Sequence, residues 1–396
     1  MKNCIIALLS TLFIFNMFYC SEKNNVEYTI QNNENIKYIH NGNKPIEGYF
    51  YYDLSVDLTI GNLEGDVNYQ LNLPADYEIL DNGDIYILDC GNKNVKVFDK
   101  KGMHLMTFGK EGRGPGELLN PNSLVVYPDK RIMILDNGNA RITLYDSLGN
   151  FINDFRIKDG NYLSGLRYNY LNKKEILLAN YKIDNNGKKY MALVKYSING
   201  EFKLKIGDFP AKNTQKIPIK FNNGSETVAS ISLGYEPYES WCLGSDSVIY
   251  VGFGNEYKIS AYSLEGKLLH VFTKNYEQIK ITKNEINKIM KSDKMKKIPV
   301  YIKDKIIFPK YKPAFWSIAF VDEQNNIWIK IPHNKEINGE YFFDIFNSKG
   351  LYKRQVFFKE NITLVKNDYA FGFSITEDGL HVFKRFQIKN KIKVKE

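Results

Sequence analysis

Two stretches of this chain repeat one another at a fixed spacing, and that constrains the fold more than any other feature. Asp89 and Asp136, Asn92 and Asn139, and Gly102 and Gly149 are each 47 residues apart, within runs of matching pattern. One supersecondary unit has been copied. In each copy a dense β-branched and aromatic run reaches a polar Asx-Gly turn. Apolar residues then alternate with period two (Val95 and Val97; Ile142 and Leu144), which predicts antiparallel strands. An aromatic-Asp-x-x-Gly step follows, with Gly supplying the positive φ of a hairpin turn. That step recurs in degraded form at residues 196–200, 262–266 and 346–350, giving five copies.

Another strand follows the turn glycines, at 103–108, 151–155, 267–272 and 351–358, so each unit is four strands. Four-stranded antiparallel units at a period of roughly 40–50 residues read as propeller blades. The expected fold class is therefore all-β: a six-bladed β-propeller of four-stranded antiparallel blades, closed by an N-terminal strand that completes the last blade. Residues 369–375, 380–385 and 387–395 supply three strands of the sixth blade, and residues 56–61 supply its outer one. The spacing supports this, because Gly61 precedes Asp76 by 15 residues and Gly109 precedes Ser123 by 14. Such closure covers a strand edge that would otherwise be unpaired. The propeller is expected over residues 50–396, with 21–49 as a tether and N-terminal segment.

Residues 1–20 read as a signal peptide. Met1-Lys2-Asn3 is a short basic start, and residues 4–19 are apolar except for Ser10, Thr11 and Asn16. The run is shorter than the roughly 20 residues of a spanning helix. Cys20 follows it directly and precedes a polar Ser21-Glu22-Lys23-Asn24-Asn25 stretch, so Cys20 is the lipidation candidate of a lipoprotein-type leader, with ordinary cleavage or an unmodified Cys as the alternatives. The expected address is extracytoplasmic, either anchored in the envelope through that lipid or secreted. Beyond the leader only Cys90 and Cys242 remain, too few for a disulfide framework, and both read as small hydrophobes.

Asp89-x-Gly-Asn92-x-x-Val95, Asp136-x-Gly-Asn139-x-Arg141-Ile142 and the linker Gly109-Lys110-Glu111-Gly112-Arg113-Gly114-Pro115-Gly116-Glu117-Leu118 resemble the NHL-repeat propellers. More narrowly, they look like the six-bladed β-propeller lipoproteins of gut Bacteroidetes, where a Gly-Arg-Gly-Pro-Gly-Glu linker joins the first two blades. Phe308-Pro309-Lys310-Tyr311-Lys312-Pro313, with Val321-Asp322 and Ile327-Trp328-Ile329, is similar to that family's late-blade signature. Blades three, four and six depart from the consensus.

Between turn glycines the spacing grows from 47 to 51, 66 and 84 residues. The growth falls in loops between second and third strands (181–189, 332–340) and in linkers between blades (210–240, 274–313). Both loop types emerge on one face of an up-and-down blade, so one face is elaborated and the other plain. The longest excursion contains Thr282-Lys283-Asn284-Glu285, a capping-box match, with Ile286, Ile289 and Met290 at helical spacing. It predicts a short helix from Thr282 to about Met290, acting as a lid or rim near 275–313.

The elaborated face is expected to carry Arg113, Glu117, Asp136, Asn139, Arg141, Tyr238, Trp241 and His333 as binding candidates, beside Asp89, Asn92 and Tyr235. Two readings stand for them: a ligand site, or architecture, since Asp and Asn commonly bond nearby backbone in turns and aromatics pack blades. Metal-dependent lyases and lactonases of this superfamily need converging ligands. The five histidines (His40, His104, His270, His333, His381) sit at non-equivalent positions, so no catalytic set assembles. The leading expectation is a binding or scaffold propeller for a peptide, glycan or envelope protein, with no cofactor. A lyase or lactonase using a divalent cation is the alternative. The net charge of +9, from 54 Lys and Arg against 45 Asp and Glu, comes without an RNP-like motif and argues against nucleic acid. Membrane contact is expected only through the lipid anchor.

Overall fold

The computed structural model describes residues 28–62, 64–157, 162–168, 174–212, 214–220, 224–333 and 340–395. The leader and Cys20 lie outside the described residues.

The repeated turn folds alike in all five copies. The residue after the aromatic accepts hydrogen bonds from the backbone two and four positions on: Asp99 Oδ1 takes the N–H groups of Lys101 and Met103, both at 2.8 Å. Asp146, Ser197, Ser263 and Asn347 do the same in their own turns, so a hydroxyl or an amide replaces the carboxylate without changing the geometry. The closing glycine has φ between 78° and 82° in each. It also abuts the preceding blade: a Cβ at Gly149 would lie 2.6 Å from Phe108, and one at Gly350 would lie 2.8 Å from Phe272.

Blade one is Pro74–Ile79, Ile85–Asp89, Asn94–Phe98 and His104–Phe108. Blade two is Pro121–Val126, Ile132–Asp136, Arg141–Tyr145 and Phe151–Phe155. Blade three is Tyr162–Tyr168, Glu175–Ile183, Lys189–Ser197 and Phe202–Pro210. Blade four is Glu239–Leu243, Ile249–Phe253, Lys258–Tyr262 and Leu268–Lys274. Blade five is Ser317–Val321, Ile327–Ile331, Tyr341–Phe346 and Tyr352–Phe358. Blade six is Leu364–Lys366, Tyr369–Ile375 and His381–Val394, with Gly48–Ile60 outermost. The fold is an all-β six-bladed propeller. Each seam has its own apolar cluster, including Leu88, Val95, Leu124 and Ile134 between blades one and two, and Ile60, Ile85, Phe98, Phe371 and Phe383 between six and one. Burial supplies roughly 1.5–3 kcal/mol for each such side chain, so the ring stands on its seams.

Gly48–Ile60 pairs antiparallel with His381–Val394, with Leu58 opposite Arg385. Leu58 also takes the place that Phe108 holds one blade on, because a Cβ at Gly102 would lie 2.6 Å from it.

Two expectations need correction. Residues 380–385 and 387–395 are one strand, His381–Val394, because no turn residue interrupts them and Phe386 is buried at 2% exposure. The innermost strand of blade six is instead Leu364–Lys366. The segment 21–49 is not simply a tether, since Tyr28–Asn33 and Ile36–Asn41 form a hairpin turned by Glu34 and Asn35, both at positive φ. The second of these strands pairs parallel with Leu268–Lys274, and the start of Gly48–Ile60 pairs parallel with Tyr352–Phe358, so this segment binds the outer edges of blades four, five and six. Asn41 fastens the first junction, donating to Thr273 O and Gly350 O at 2.9 Å and accepting from Tyr352 N at 2.9 Å.

The long excursions also have structure. Gln215–Lys220 and Glu226–Ile231 form a hairpin, and residues 282–304 form helices α1 (Lys283–Met290), α2 (Asp293–Lys296) and α3 (Val300–Lys303). The capping box is present: Thr282 Oγ1 accepts from Glu285 N, and Glu285 accepts from Thr282 N. The two excursions share a core of Ile217, Ile231, Leu233, Met295 and Ile302, making one knob on the elaborated face. Among the described residues no helix is long and apolar enough to cross a membrane.

Candidate functional site

The glycine-rich linker is gripped by the residues that marked it in the sequence. Asp136, fully buried, accepts from Leu119 N at 2.9 Å, Asn120 N at 2.8 Å and Asn139 Nδ2 at 2.7 Å. Asp89 holds Asn72 N and Leu73 N in the same way one blade earlier. Asn139 also donates to Gly112 O at 3.0 Å. The Arg141 guanidinium donates to Gly114 O at 2.6 Å and Glu117 O at 2.8 Å and pairs with Asp154 at 2.9 Å. Glu117 takes Gly114 N at 2.8 Å and faces Lys110 at 3.2 Å, and these two hold its carboxyl below the usual range. Arg113 points from the same linker into solvent.

The third linker behaves similarly. The Tyr238 hydroxyl accepts a hydrogen bond from Lys212 Nζ, which also reaches Ser232 Oγ at 2.6 Å and Glu236 at 3.4 Å. Trp241 packs in the seam between blades three and four, close enough to Gly165 that a Cβ there would meet its ring at 2.9 Å. The elaborated face brings these residues onto one side of the ring but not into one pocket.

His333 leads elsewhere, to the rim of a cavity of about 310 Å³ at the seam of blades four and five. Its ring stacks on Phe342 with centroids 3.7 Å apart and planes within 4°. Lys312 ties the knob to this rim, donating to His333 O at 3.2 Å and pairing with Glu285 of α1 at 2.7 Å. The cavity floor is charged. Asp344 Oδ2 accepts from Lys274 Nζ and from the Tyr257 hydroxyl at 2.6 Å each, while Oδ1 accepts from the Tyr352 hydroxyl at 2.6 Å and Gln355 Nε2 at 3.0 Å. Burial first, and then the Asp344 charge, raises both tyrosines well above the ordinary phenol value, so both remain donors. Lys274 also lies over the Tyr352 ring, 4.4 Å from its centroid. The floor is thus rigid and internally satisfied, and ligand chemistry falls to the walls: Tyr49, Tyr276, Asn275, Glu277, Asn43 and the His333 rim.

Sequence reasoning missed this floor, although one signal was present. Asp344 is a lone charge in the otherwise apolar strand Tyr341–Phe346, at the third-strand position that holds Lys96 in blade one and Thr143 in blade two. Its partner Lys274 is 70 residues away and opens the long excursion, which hid the pairing.

The histidines do not converge. His40 bonds Thr273 Oγ1 at 3.0 Å, His104 bonds Thr107 Oγ1 at 2.8 Å, and the half-buried His270 lies beside Tyr250 and Phe272. Among the described residues no three His, Cys, Asp or Glu side chains gather to hold a metal ion.

Comparison with known protein families agrees with this architecture. A family model described as a 6-bladed beta-propeller matches residues 63–242. Human NHL repeat-containing protein 3 is 33% identical over 81 residues, which is 19% of this chain and 23% of that protein. The chain spans less than a quarter of the length of the curated relatives it matches. Among solved structures, a member of the duf4221 family from Bacteroides vulgatus is 11% identical with a TM-score of 0.46, covering 85% of this chain and 98% of that one. Virginiamycin B lyase from Staphylococcus aureus is 12% identical with a TM-score of 0.39, covering 80% and 95%.

Proposed function

We propose that this propeller is an extracytoplasmic binding module that takes a glycan in the cleft between blades four and five. The observation that carries the reading is the wall chemistry above a fixed floor. Tyr49, Tyr276 and the stacked His333 offer ring faces, while Asn43, Asn275 and Glu277 offer amide and carboxylate groups at the mouth. Rings that pack on C–H faces beside paired acceptors and donors suit a polyhydroxylated ligand. The volume lies at the lower end of the roughly 300–1000 Å³ of small-molecule sites, which suits a mono- or disaccharide unit of a longer chain. The leader at residues 1–20 and Cys20 support an envelope address with lipid attachment.

The test is an oligosaccharide array followed by calorimetric titration of retained sugars. Glu277→Gln and Asn275→Ala are expected to weaken binding roughly ten- to hundredfold, the loss of one hydrogen bond made with a charged or desolvated group. Retention of no sugar, or binding indifferent to both substitutions, would overturn the proposal.

A further inference from the structure

The knob on the elaborated face carries almost all of the chain's net charge. Residues 274–313 hold 12 lysines against 4 carboxylates, Glu277, Glu285, Asp293 and Asp304, an excess of +8 in a protein whose total is +9. Two of those lysines are committed inside the fold, Lys274 to Asp344 and Lys312 to Glu285. Lys280, Lys283, Lys288, Lys291, Lys297, Lys303, Lys305 and Lys310 have no ion-pair partner among the described residues.

The surface of the knob at α3 and just after it is also apolar, where Ile307 N donates to Gln215 Oε1 at 3.1 Å. Val300 is 69% exposed, Tyr301 53% and Ile307 76%, while their neighbours Met295 and Ile302 are buried in the knob's core. Three large apolar side chains thus face water within eight residues, interleaved with Lys303 and Lys305 and preceded by Lys297. The long aliphatic stems of lysine let the charge stay in a headgroup layer while neighbouring side chains descend below it. Cations interleaved with a short exposed apolar segment are the arrangement that anionic bilayers favour, and charge alone would not require exposed Val, Tyr and Ile.

We propose that the exposed 296–307 segment docks onto an anionic phospholipid surface, inserting Val300, Tyr301 and Ile307 among the headgroups. This surface is separate from the cleft and does not depend on the glycan reading. It would set the orientation of the ring against the membrane, with the elaborated face turned toward the bilayer.

The probe is sedimentation of the full chain with vesicles of neutral phosphatidylcholine, and with vesicles in which a third of the lipid is phosphatidylglycerol. Any contribution of the apolar leader is common to both, so the readout is the increment that anionic lipid produces. Each lysine near such a surface is worth about fivefold in binding, so K297Q/K303Q/K305Q is expected to cut that increment roughly a hundredfold. Val300→Ser with Ile307→Ser is expected to weaken it further with all lysines in place. All five positions are solvent-facing or partly so, and retention of the wild-type unfolding midpoint will show that the fold is intact. Equal binding to both vesicles would overturn the proposal. So would an anionic increment that survives loss of the apolar pair while soluble heparin competes fully, which would make the knob a general polyanion site.

Discussion

Replacing each partner of the buried pair beneath the cleft separates a fixed floor from a merely polar one. Lys274→Met leaves the Asp344 carboxylate with three donors already in place, the hydroxyls of Tyr257 and Tyr352 and the Gln355 amide. Asp344→Leu leaves a buried ammonium with the Tyr352 hydroxyl at 3.3 Å and the ring faces of Tyr257 and Tyr352 at 5.2 and 4.4 Å, and it strands the three former donors. Breaking a buried pair costs about 3–5 kcal/mol. The two replacements should fall at opposite ends of that range, about 3 kcal/mol for Lys274→Met and about 5 kcal/mol for Asp344→Leu. The double variant removes both charges, so its cost should stay near that of the milder single change and well below the additive value of about 8 kcal/mol. Urea unfolding followed by fluorescence of Trp241, Trp316 and Trp328 reads all three. Additive costs, or a larger loss from Lys274→Met than from Asp344→Leu, would refute the reasoning.

Other consequences follow from the same structure. Asp136→Ala should lower stability by about 3–4 kcal/mol in urea, because it orphans the Leu119 and Asn120 N–H groups, and it should leave sugar binding at the cleft unchanged in the folded fraction. Ile60→Ala, in the closing strand, should cost about 2–4 kcal/mol and shift one cooperative transition, whereas an early separate transition would argue against a closed ring. Burial alone would raise Glu236 and Glu285, yet hydrogen bonds to Glu236 from Leu233 and Gly234 and to Glu285 from Lys312 and Thr282, together with the Lys212 and Lys312 charges, hold both carboxyls below their ordinary value. Their contribution is therefore complete above about pH 4.5 and is lost as pH falls through the lower folded values, so hydrogen-exchange protection in the knob, taken relative to the intrinsic amide rate at each pH, should fall on acidification before protection in blades one and two. Glu285→Gln should remove part of that acid sensitivity.

The ring was legible because its punctuation is local. A turn acceptor and a glycine within five residues announce each blade, and the matching place of Leu58 beside Gly102 follows from the same spacing. The consensus Asp failed beyond blade two for a visible reason. The second-strand position of Asp89 and Asp136 becomes Asn180, Phe253 and Ile331 in blades three, four and five, so that position supplies no carboxylate there. The candidate site was less legible. Arg141 and Asn139 stood out through their motif, and the motif turned out to hold its own linker. The cleft joins Tyr49, Lys274, His333 and Asp344, contributed by the N-terminal segment and two blades, and such a meeting leaves no periodic trace in the chain. The hairpin Tyr28–Asn33 with Ile36–Asn41 escaped notice because its parallel partner is more than 200 residues away.

A crystal structure of the chain with an oligosaccharide retained on the array addresses the binding claim most directly. The account predicts a sugar ring in the cleft between blades four and five, against Tyr276 and the His333 rim, with a hydroxyl on Glu277. A sugar at the mouth of the central channel, or on the plain face beside Asn367, would contradict it.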